Sequence, residues 1–91
     1  METVRSLREH PVMAAETLRQ QFGKRLRVLR VERSLTQEQF AELTGISVDF
    51  LSLIERGVRS PSFESIELIA KRLGLNAKDL FDFPKRSGGR R

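Results

Sequence analysis

The most restrictive feature of the sequence is a pair of short helix signals separated by only three residues. Thr36 and Gln39 have the spacing of a capping box, which predicts that a helix begins at residue 37. Gly45 suits the left-handed position that ends such a helix, and Ser47 is a typical N-cap for the next one. Because the connection is so short, the two helices have to cross steeply, and Ala41 is small enough to lie at that crossing.

The rest of the chain also has helical patterns, which predicts an all-α fold. Apolar residues recur at helical spacing, and no segment shows the alternation of a β-strand. Phe22, Leu26 and Leu29 form one apolar face of a helix that we expect from about residue 17 or 20 to residue 33. Two more helices are expected at 63–73, with Ser62 as its N-cap, and at 77–81, with Asn76 as its N-cap.

Charge and composition divide the chain into three parts. Residues 1–20 are polar with scattered apolar side chains, and we expect them to form a partly helical N-terminal extension. Residues 21–84 form the helical domain. Residues 85–91 carry four of the five net positive charges and no apolar side chain, so we expect a disordered basic tail. The first 84 residues therefore sum to a charge of only +1.

Several classes of activity are disfavoured by what the sequence lacks. There is no cysteine, which excludes disulfides, thiolate metal sites and a thiol nucleophile. The single histidine has no clustered acids near it and no phosphate-binding loop is present, so we expect neither an enzyme nor a bound metal or cofactor. No apolar run approaches the length of a membrane span, which predicts a cytoplasmic protein without membrane contact.

The second helix of the pair, expected at 48–56, has one face free to contact another molecule. Leu51 and Ile54 lie three residues apart and would anchor the opposite face in the core. A helix exposed in this way fits the major groove of DNA, and the net charge of +5 favours a polyanionic partner. The outward face carries Ser47, Val48, Asp49, Ser52 and Arg56.

The N-terminal ends of both helices are candidate phosphate sites, because their first amides have no partner within the helix. Thr36 and Ser47 mark these ends, and Gln37 lies where it can reach a phosphate or a base edge. The preceding helix is strongly basic, and on it Lys24 and Arg25 are the candidates for approaching phosphate.

Five short motifs occur together between residues 26 and 62. They are LRVLR at 26–30, LTQEQFA at 35–41, TGIS at 44–47, LSLIERG at 51–57 and PS at 61–62, followed by Ile66, Ile69, Ala70 and Leu73. With these motifs, residues 22–81 resemble the helix-turn-helix domain of lambda-type phage repressors, Cro proteins and restriction–modification controller proteins. The resemblance implies a five-helix, lambda-repressor-like domain with its helix-turn-helix at 37–56. Such a domain binds a partly palindromic operator in double-stranded DNA as a homodimer and regulates transcription, with 48–56 as recognition helix.

The resemblance also implies roles for individual residues. The side chains that would read bases are Gln37, Ser47, Val48, Asp49 and Ser52. Those that would contact phosphates are Thr36, Gln37, Arg56, Arg59, Ser60 and, through its ring edge or its backbone, Phe50. Asp49 can only accept hydrogen bonds, which favours the cytosine amino group, and Val48 can only pack, which favours a thymine methyl group. Direct readout is therefore sparse, so we expect DNA shape to supply part of the specificity.

Two further contacts are implied by the resemblance. The first is an internal ion pair between Arg30 and Glu55, which would link the first helix to the recognition helix. The second is a dimer surface on the helix 63–73 and the segment 75–83. Its candidate residues are Leu68, Leu75, Phe81 and Phe83.

A second function stays open at the level of sequence. An antitoxin uses the same kind of domain for autoregulation, while its main partner is a toxin protein. In that case residues 1–20 and the basic tail would be the protein-binding elements and would become ordered on contact.

Overall fold

The computed structural model describes residues 16–84. Predictions for residues 1–15, including a protein contact there, and for the tail 85–91 lie outside the described residues. The described part forms α1 (Leu18–Glu32), α2 (Gln37–Thr44), α3 (Val48–Glu55) and α4 (Phe63–Leu73), followed by a 3₁₀ helix (Ala77–Phe81). No β-strand occurs between residues 16 and 84, so the predicted all-α class is confirmed. None of these helices is long and apolar enough to cross a membrane.

The fifth helix of the expected fold is a single short stretch of 3₁₀ helix. The N–H of Asp79 donates to the carbonyl of Asn76, three residues earlier, at 2.9 Å. The Asp79 side chain accepts the N–H of Asn76, also at 2.9 Å. This local exchange tightens the turn, and Pro84 follows too closely for a longer α-helix to develop.

A side-chain cap fixes the start of each α-helix. Thr17 begins α1 and Thr36 begins α2, and in both the hydroxyl accepts the N–H of a glutamine three residues ahead. The same glutamine accepts the N–H of the threonine, which completes a capping box. Ser47 and Ser62 cap α3 and α4 by accepting the N–H three residues ahead, at 3.1 Å in each case. Each cap stabilises its helix by about 1 kcal/mol, so these boundaries are determined locally.

The connection between α2 and α3 depends on the left-handed conformation of Gly45. Its φ is 85°, and its N–H donates to the carbonyl of Ala41 at 2.8 Å, which closes the last turn of α2. A side chain is strained in this conformation, so glycine suits the position. The chain can therefore reverse within three residues and start α3 at once, as the sequence predicted.

Every element contributes to one core. Leu51 and Ile54 of α3 are both fully buried, so the predicted anchor of this helix is confirmed and its opposite face points away from the core. Burying one such side chain contributes about 1.5–3 kcal/mol. The other completely buried apolar side chains are Leu26 of α1, Phe40 of α2, Ile69 of α4 and Leu80 of the 3₁₀ helix.

Helices α1 and α3 are in close backbone contact at Gly23. A Cβ atom added to Gly23 would lie 2.1 Å from the carbonyl oxygen of Ile54 and 3.0 Å from that of Glu55. By helix propensity alone, a glycine in mid-helix is a weakness. Here its missing side chain lets the backbones of the two helices come into contact, which fixes the position of α3 on α1.

The 3₁₀ helix holds α1 from another side. The ring of Phe81 lies with its centroid 5.1 Å from that of Phe22 and 6.1 Å from that of Phe83. The Nε of Arg25 donates to the carbonyl of Asp79 at 3.0 Å. Helix α1 is therefore held by both α3 and the 3₁₀ helix, whereas α2 packs against α3 and α4.

Candidate nucleic-acid interface

An open depression lies where α1, the start of α2 and the second half of α3 meet. It brings together side chains for which the sequence predicted different roles. Thr36, Gln37, Ser52 and Arg56 were expected to contact DNA, whereas Arg30 and Glu55 were expected to form an internal pair. Arg27 and Glu38 complete the lining.

Arg30 and Glu55 form a two-pronged ion pair at the base of this depression. The Nε of Arg30 lies 2.7 Å from Oε2 of Glu55, and its Nη2 lies 3.0 Å from Oε1. Their side chains are only 11% and 4% exposed. The hydrogen bond to Glu55, and then the charge of that carboxylate, raise the pKa of Arg30 further above its usual value, against the opposing effect of burial. The pair thus links α1 to the last turn of α3.

Arg30 also determines how the chain enters α2. Its Nη1 donates to the carbonyl of Leu35 at 2.8 Å, and the N–H of Leu35 donates back to the carbonyl of Arg30 at 3.2 Å. Leu35 immediately precedes the N-cap of α2. One guanidinium therefore orients both helices of the helix-turn-helix with respect to α1.

Gln37, the first residue of α2, joins the same network. Its Nε2 donates to Oε1 of Glu55 at 3.0 Å. The sequence predicted that Gln37 reaches a phosphate or a base edge, and it lies on the lining of the depression, half-buried. One of its two N–H groups is used inside the protein, and the other groups of the amide are left for a ligand.

The starts of α2 and α3 present backbone amides beside their caps. The hydroxyls of Thr36 and Ser47 each accept one backbone N–H, and both residues are exposed. The backbone N–H of Phe50 is the donor to Ser47, and its ring packs partly against the core. Of the two routes by which Phe50 was expected to contact phosphate, the ring edge therefore remains, since the backbone N–H is already bonded.

The outward face of α3 carries the remaining candidate base contacts. Asp49 and Arg56 are exposed, whereas Val48 and Ser52 are partly exposed. No side-chain hydrogen bond within residues 16–84 involves Asp49 or Ser52. Arg59 and Ser60 are exposed in the loop that follows α3. These side chains are therefore accessible to a ligand without any rearrangement of the fold.

Two basic residues of α1, the candidates for approaching phosphate, lie outside the depression. Lys24 forms an ion pair with Glu16, and Arg25 donates to the carbonyl of Asp79, so both lie beside the C-terminal segment and not in the depression. Arg27 is the exposed arginine of α1 in the depression. Its position three residues before Arg30 places it on the same side of the helix, and this spacing was the signal that could have identified it.

The four candidate dimer residues are all partly buried within the protomer. Leu75, Phe81 and Phe83 pack against the edge of the core, and Leu68 lies close to Gly45. Each therefore keeps some exposed apolar surface after folding.

Comparisons with known proteins agree with this architecture. The helix-turn-helix family model matches residues 26–80, which include every residue that lines the depression. The control protein C.BamHI of Bacillus amyloliquefaciens is 41% identical over 63 residues, which cover 68% of this chain and 78% of that protein.

Solved structures of helix-turn-helix regulators also superpose on this chain. The restriction–modification controller protein C.AhdI of Aeromonas hydrophila superposes with a TM-score of 0.65 at 35% identity, over 68% of this chain and 94% of that one. The clp gene regulator ClgR of Corynebacterium glutamicum superposes with a TM-score of 0.68 at 30% identity, over 72% of this chain and 85% of that one. In motifs, fold and position of the exposed helix, the chain belongs to the XRE-type helix-turn-helix family of DNA-binding transcriptional regulators.

Proposed function

We propose that this protein binds a partly palindromic operator in double-stranded DNA as a homodimer, with α3 in the major groove. One observation carries the proposal. The depression lined by Thr36, Gln37, Arg27 and Arg56 adjoins the outward face of α3, so phosphate-binding groups lie beside base-reading groups. This is the arrangement by which helix-turn-helix proteins place a recognition helix.

The electrostatics of the depression suit a phosphate backbone. Arg30 and Glu55 neutralise each other, and the rest of the lining carries two exposed arginines, Arg27 and Arg56, against one exposed carboxylate, Glu38. Neither of these arginines forms an ion pair within residues 16–84. The start of α2 adds unpaired N–H groups and the positive end of the helix dipole. Two arginines and one helix start therefore provide three positively polarised contacts for neighbouring phosphates, and neutralising phosphates makes binding weaken as salt rises.

The residues proposed to read bases lie on the outward face of α3. Asp49 lies in the first turn of α3, where it accepts hydrogen bonds and favours a cytosine amino group. Val48 offers only apolar contact, which favours a thymine methyl group. Ser47 and Ser52 add hydroxyls that can bond to any base. Since few of these groups discriminate strongly, the shape of the DNA supplies part of the specificity.

Homodimerisation is proposed through the exposed apolar surface at Leu68, Leu75, Phe81 and Phe83. A two-fold axis near this surface would place two copies of α3 about 34 Å apart, one turn of the DNA helix. Sedimentation of the free protein, and the stoichiometry of its complexes with a half-site and a full site, test this proposal. A protein that stays monomeric and binds a full site as one copy would contradict it.

The experiment that tests the proposal as a whole is selection of bound sites from a random pool of DNA, followed by electrophoretic shifts at increasing salt. We expect a selected sequence with two inverted half-sites and an affinity that falls steeply with salt. The absence of a discrete complex at every salt concentration would overturn the proposal.

A further inference from the structure

The carboxylate of Glu55 has one more partner than a simple ion pair requires. Its Oε2 accepts from Nε of Arg30, and its Oε1 accepts from both Nη2 of Arg30 and Nε2 of Gln37. Only 4% of the Glu55 side chain is exposed. Glu55 is therefore too buried to contact DNA itself, yet it is bonded directly to a residue that lies at the surface of the depression.

This bond fixes the polarity of the Gln37 amide. A glutamine amide can turn either its oxygen or its nitrogen toward a neighbour, and on an exposed side chain the two orientations are similar in energy. A carboxylate accepts hydrogen bonds and cannot donate them, so only the nitrogen of Gln37 can face Glu55. The second N–H and the amide oxygen then point in directions determined by the protein and not by the solvent.

The charges around Gln37 determine which orientation of its amide suits a ligand. Gln37 lies at the start of α2, next to Thr36, and shares the depression with the exposed Arg27 and Arg56. Glu38 also lies on the lining, but the two exposed arginines outnumber this carboxylate, so the depression favours the approach of acceptor atoms. An amide that rotated freely would turn its oxygen toward such an acceptor in part of the population and would repel it there.

We propose that Glu55 is a positioning residue for DNA binding: by holding Nε2 of Gln37, it directs the free N–H of that amide to an acceptor on DNA. The acceptor is a phosphate oxygen or the N7 atom of a purine, since both accept from an amide N–H. The inference rests on the proposed DNA-binding function. It gives the ion pair a role in recognition that is separate from its role in holding α1 on α3.

A double-mutant cycle on the selected operator tests the inference. Glu55→Gln, Gln37→Met and the double variant are compared with the unchanged protein at a temperature where circular dichroism shows each of them to be folded. We expect each single change to weaken binding about tenfold, the size of one lost hydrogen bond to a charged or oriented group. We expect the double variant to bind no more weakly than the weaker single variant, because both changes remove the same contact.

Additive effects of the two changes would contradict the inference. If Glu55→Gln weakens binding as much in the Gln37→Met background as in the unchanged protein, Glu55 acts independently of Gln37 and the inference is wrong. Glu42→Gln is the matched control, since it removes the same charge from an exposed position of α2. It should leave the affinity within about twofold.

A second variant covers the case in which Glu55→Gln does not fold. Glu55→Asp keeps a carboxylate beside Arg30 but is one methylene shorter, which draws it away from Gln37. The same cycle with Glu55→Asp should again be non-additive with Gln37→Met, and additivity would contradict the inference.

Modified operators distinguish the two acceptors. Methylphosphonate linkages remove single phosphate charges, and 7-deazapurines remove single N7 acceptors. The unchanged protein should lose affinity at one such position, and both Gln37→Met and Glu55→Gln should be insensitive to the same modification. If the unchanged protein forms no complex at all, the proposed function is wrong. If it binds but Glu55→Gln keeps full sensitivity at that position, only the positioning role is wrong.

Discussion

Gly23 of α1 packs against the backbone carbonyl of Ile54 so closely that a Cβ atom on Gly23 would lie 2.1 Å from the oxygen. Ile54 is fully buried and precedes Glu55, so this contact places the end of α3 directly on α1. The position of α3 therefore depends on a residue that lacks a side chain.

Gly23→Ala is expected to destabilise the protein, although the same change at an unconstrained helical position stabilises it by up to about 1 kcal/mol. The added methyl group meets backbone atoms, which cannot move aside as a flexible side chain does, so α1 and α3 have to separate. Urea denaturation should show a loss of about 2–4 kcal/mol. Val31→Ala, at an exposed position of the same helix, serves as the control. A gain in stability from Gly23→Ala would mean that the two helices are not in contact there.

Glu55→Ala should cost about 3–5 kcal/mol, because it leaves the buried guanidinium of Arg30 without its counter-charge. Replacing both residues, Arg30→Met with Glu55→Leu, should cost less than Glu55→Ala alone, since no unpaired charge is then buried. Unfolding free energies from urea titrations give this comparison directly. Equal losses for the single and the double variant would argue against a stabilising role of charge pairing.

Raising the pH should leave the contribution of this pair intact throughout the ordinary range. The pKa of Arg30 is raised in the folded protein, so its contribution is complete below the unfolded pKa and is lost only as pH rises through the still higher folded pKa. The stability difference between the unchanged protein and Arg30→Met should therefore be constant between about pH 7 and pH 10, where arginine stays charged. A difference that shrinks across this interval would show that another group titrates with the pair.

Arg27→Ala should weaken DNA binding about five- to tenfold at low salt and reduce the slope of log affinity against log salt by about one unit, because one phosphate contact is lost. Its effect on unfolding should stay within about 0.5 kcal/mol, since Arg27 is exposed. Lys24→Ala is the matched control: it removes the same charge from the same helix, beside Glu16. If the two variants weakened binding equally, net charge and not position would be responsible.

Asp49→Asn should change which base is preferred at one position of each half-site. Aspartate only accepts hydrogen bonds, whereas asparagine also donates and pairs best with adenine, so a preference for cytosine worth about 1–3 kcal/mol should be lost. Binding to unrelated DNA should strengthen at the same time, because a negative charge near the phosphates is removed. Repeating the selection with the variant measures both effects. An unchanged selected sequence would show that Asp49 does not contact a base.

Local signals in the sequence predicted most of the fold. Thr36 determines where α2 begins, Gly45 where it ends and Ser47 where α3 begins. Each acts through contacts within a few residues, and such contacts can be predicted from a sequence. The capping box of Thr17 and Gln20 has the same spacing as that of Thr36 and Gln39, so it could have defined the start of α1 to the residue.

What the sequence did not predict depends on contacts between distant segments. The sequence made Arg25 a candidate for approaching phosphate. In the structure Arg25 donates to the carbonyl of Asp79, 54 residues away, and this contact holds it outside the depression. The bond from Gln37 to Glu55 spans 18 residues and depends on the packing of α2 against α3. Gly23 is the clearest case, since helix propensity assigns it a cost and only the neighbouring backbone of α3 explains it.

The two faces of α3 have a consequence for how such a protein can diverge. The side chains that hold the helix, Leu51 and Ile54, are fully buried, whereas Asp49 and Ser52 take part in no side-chain hydrogen bond in the described part of the chain. Exchange of Asp49 or Ser52 is therefore nearly neutral for stability. Under the proposed function, a duplicated gene acquires a new operator through a few substitutions there, and the two copies then control separate promoters without cross-talk.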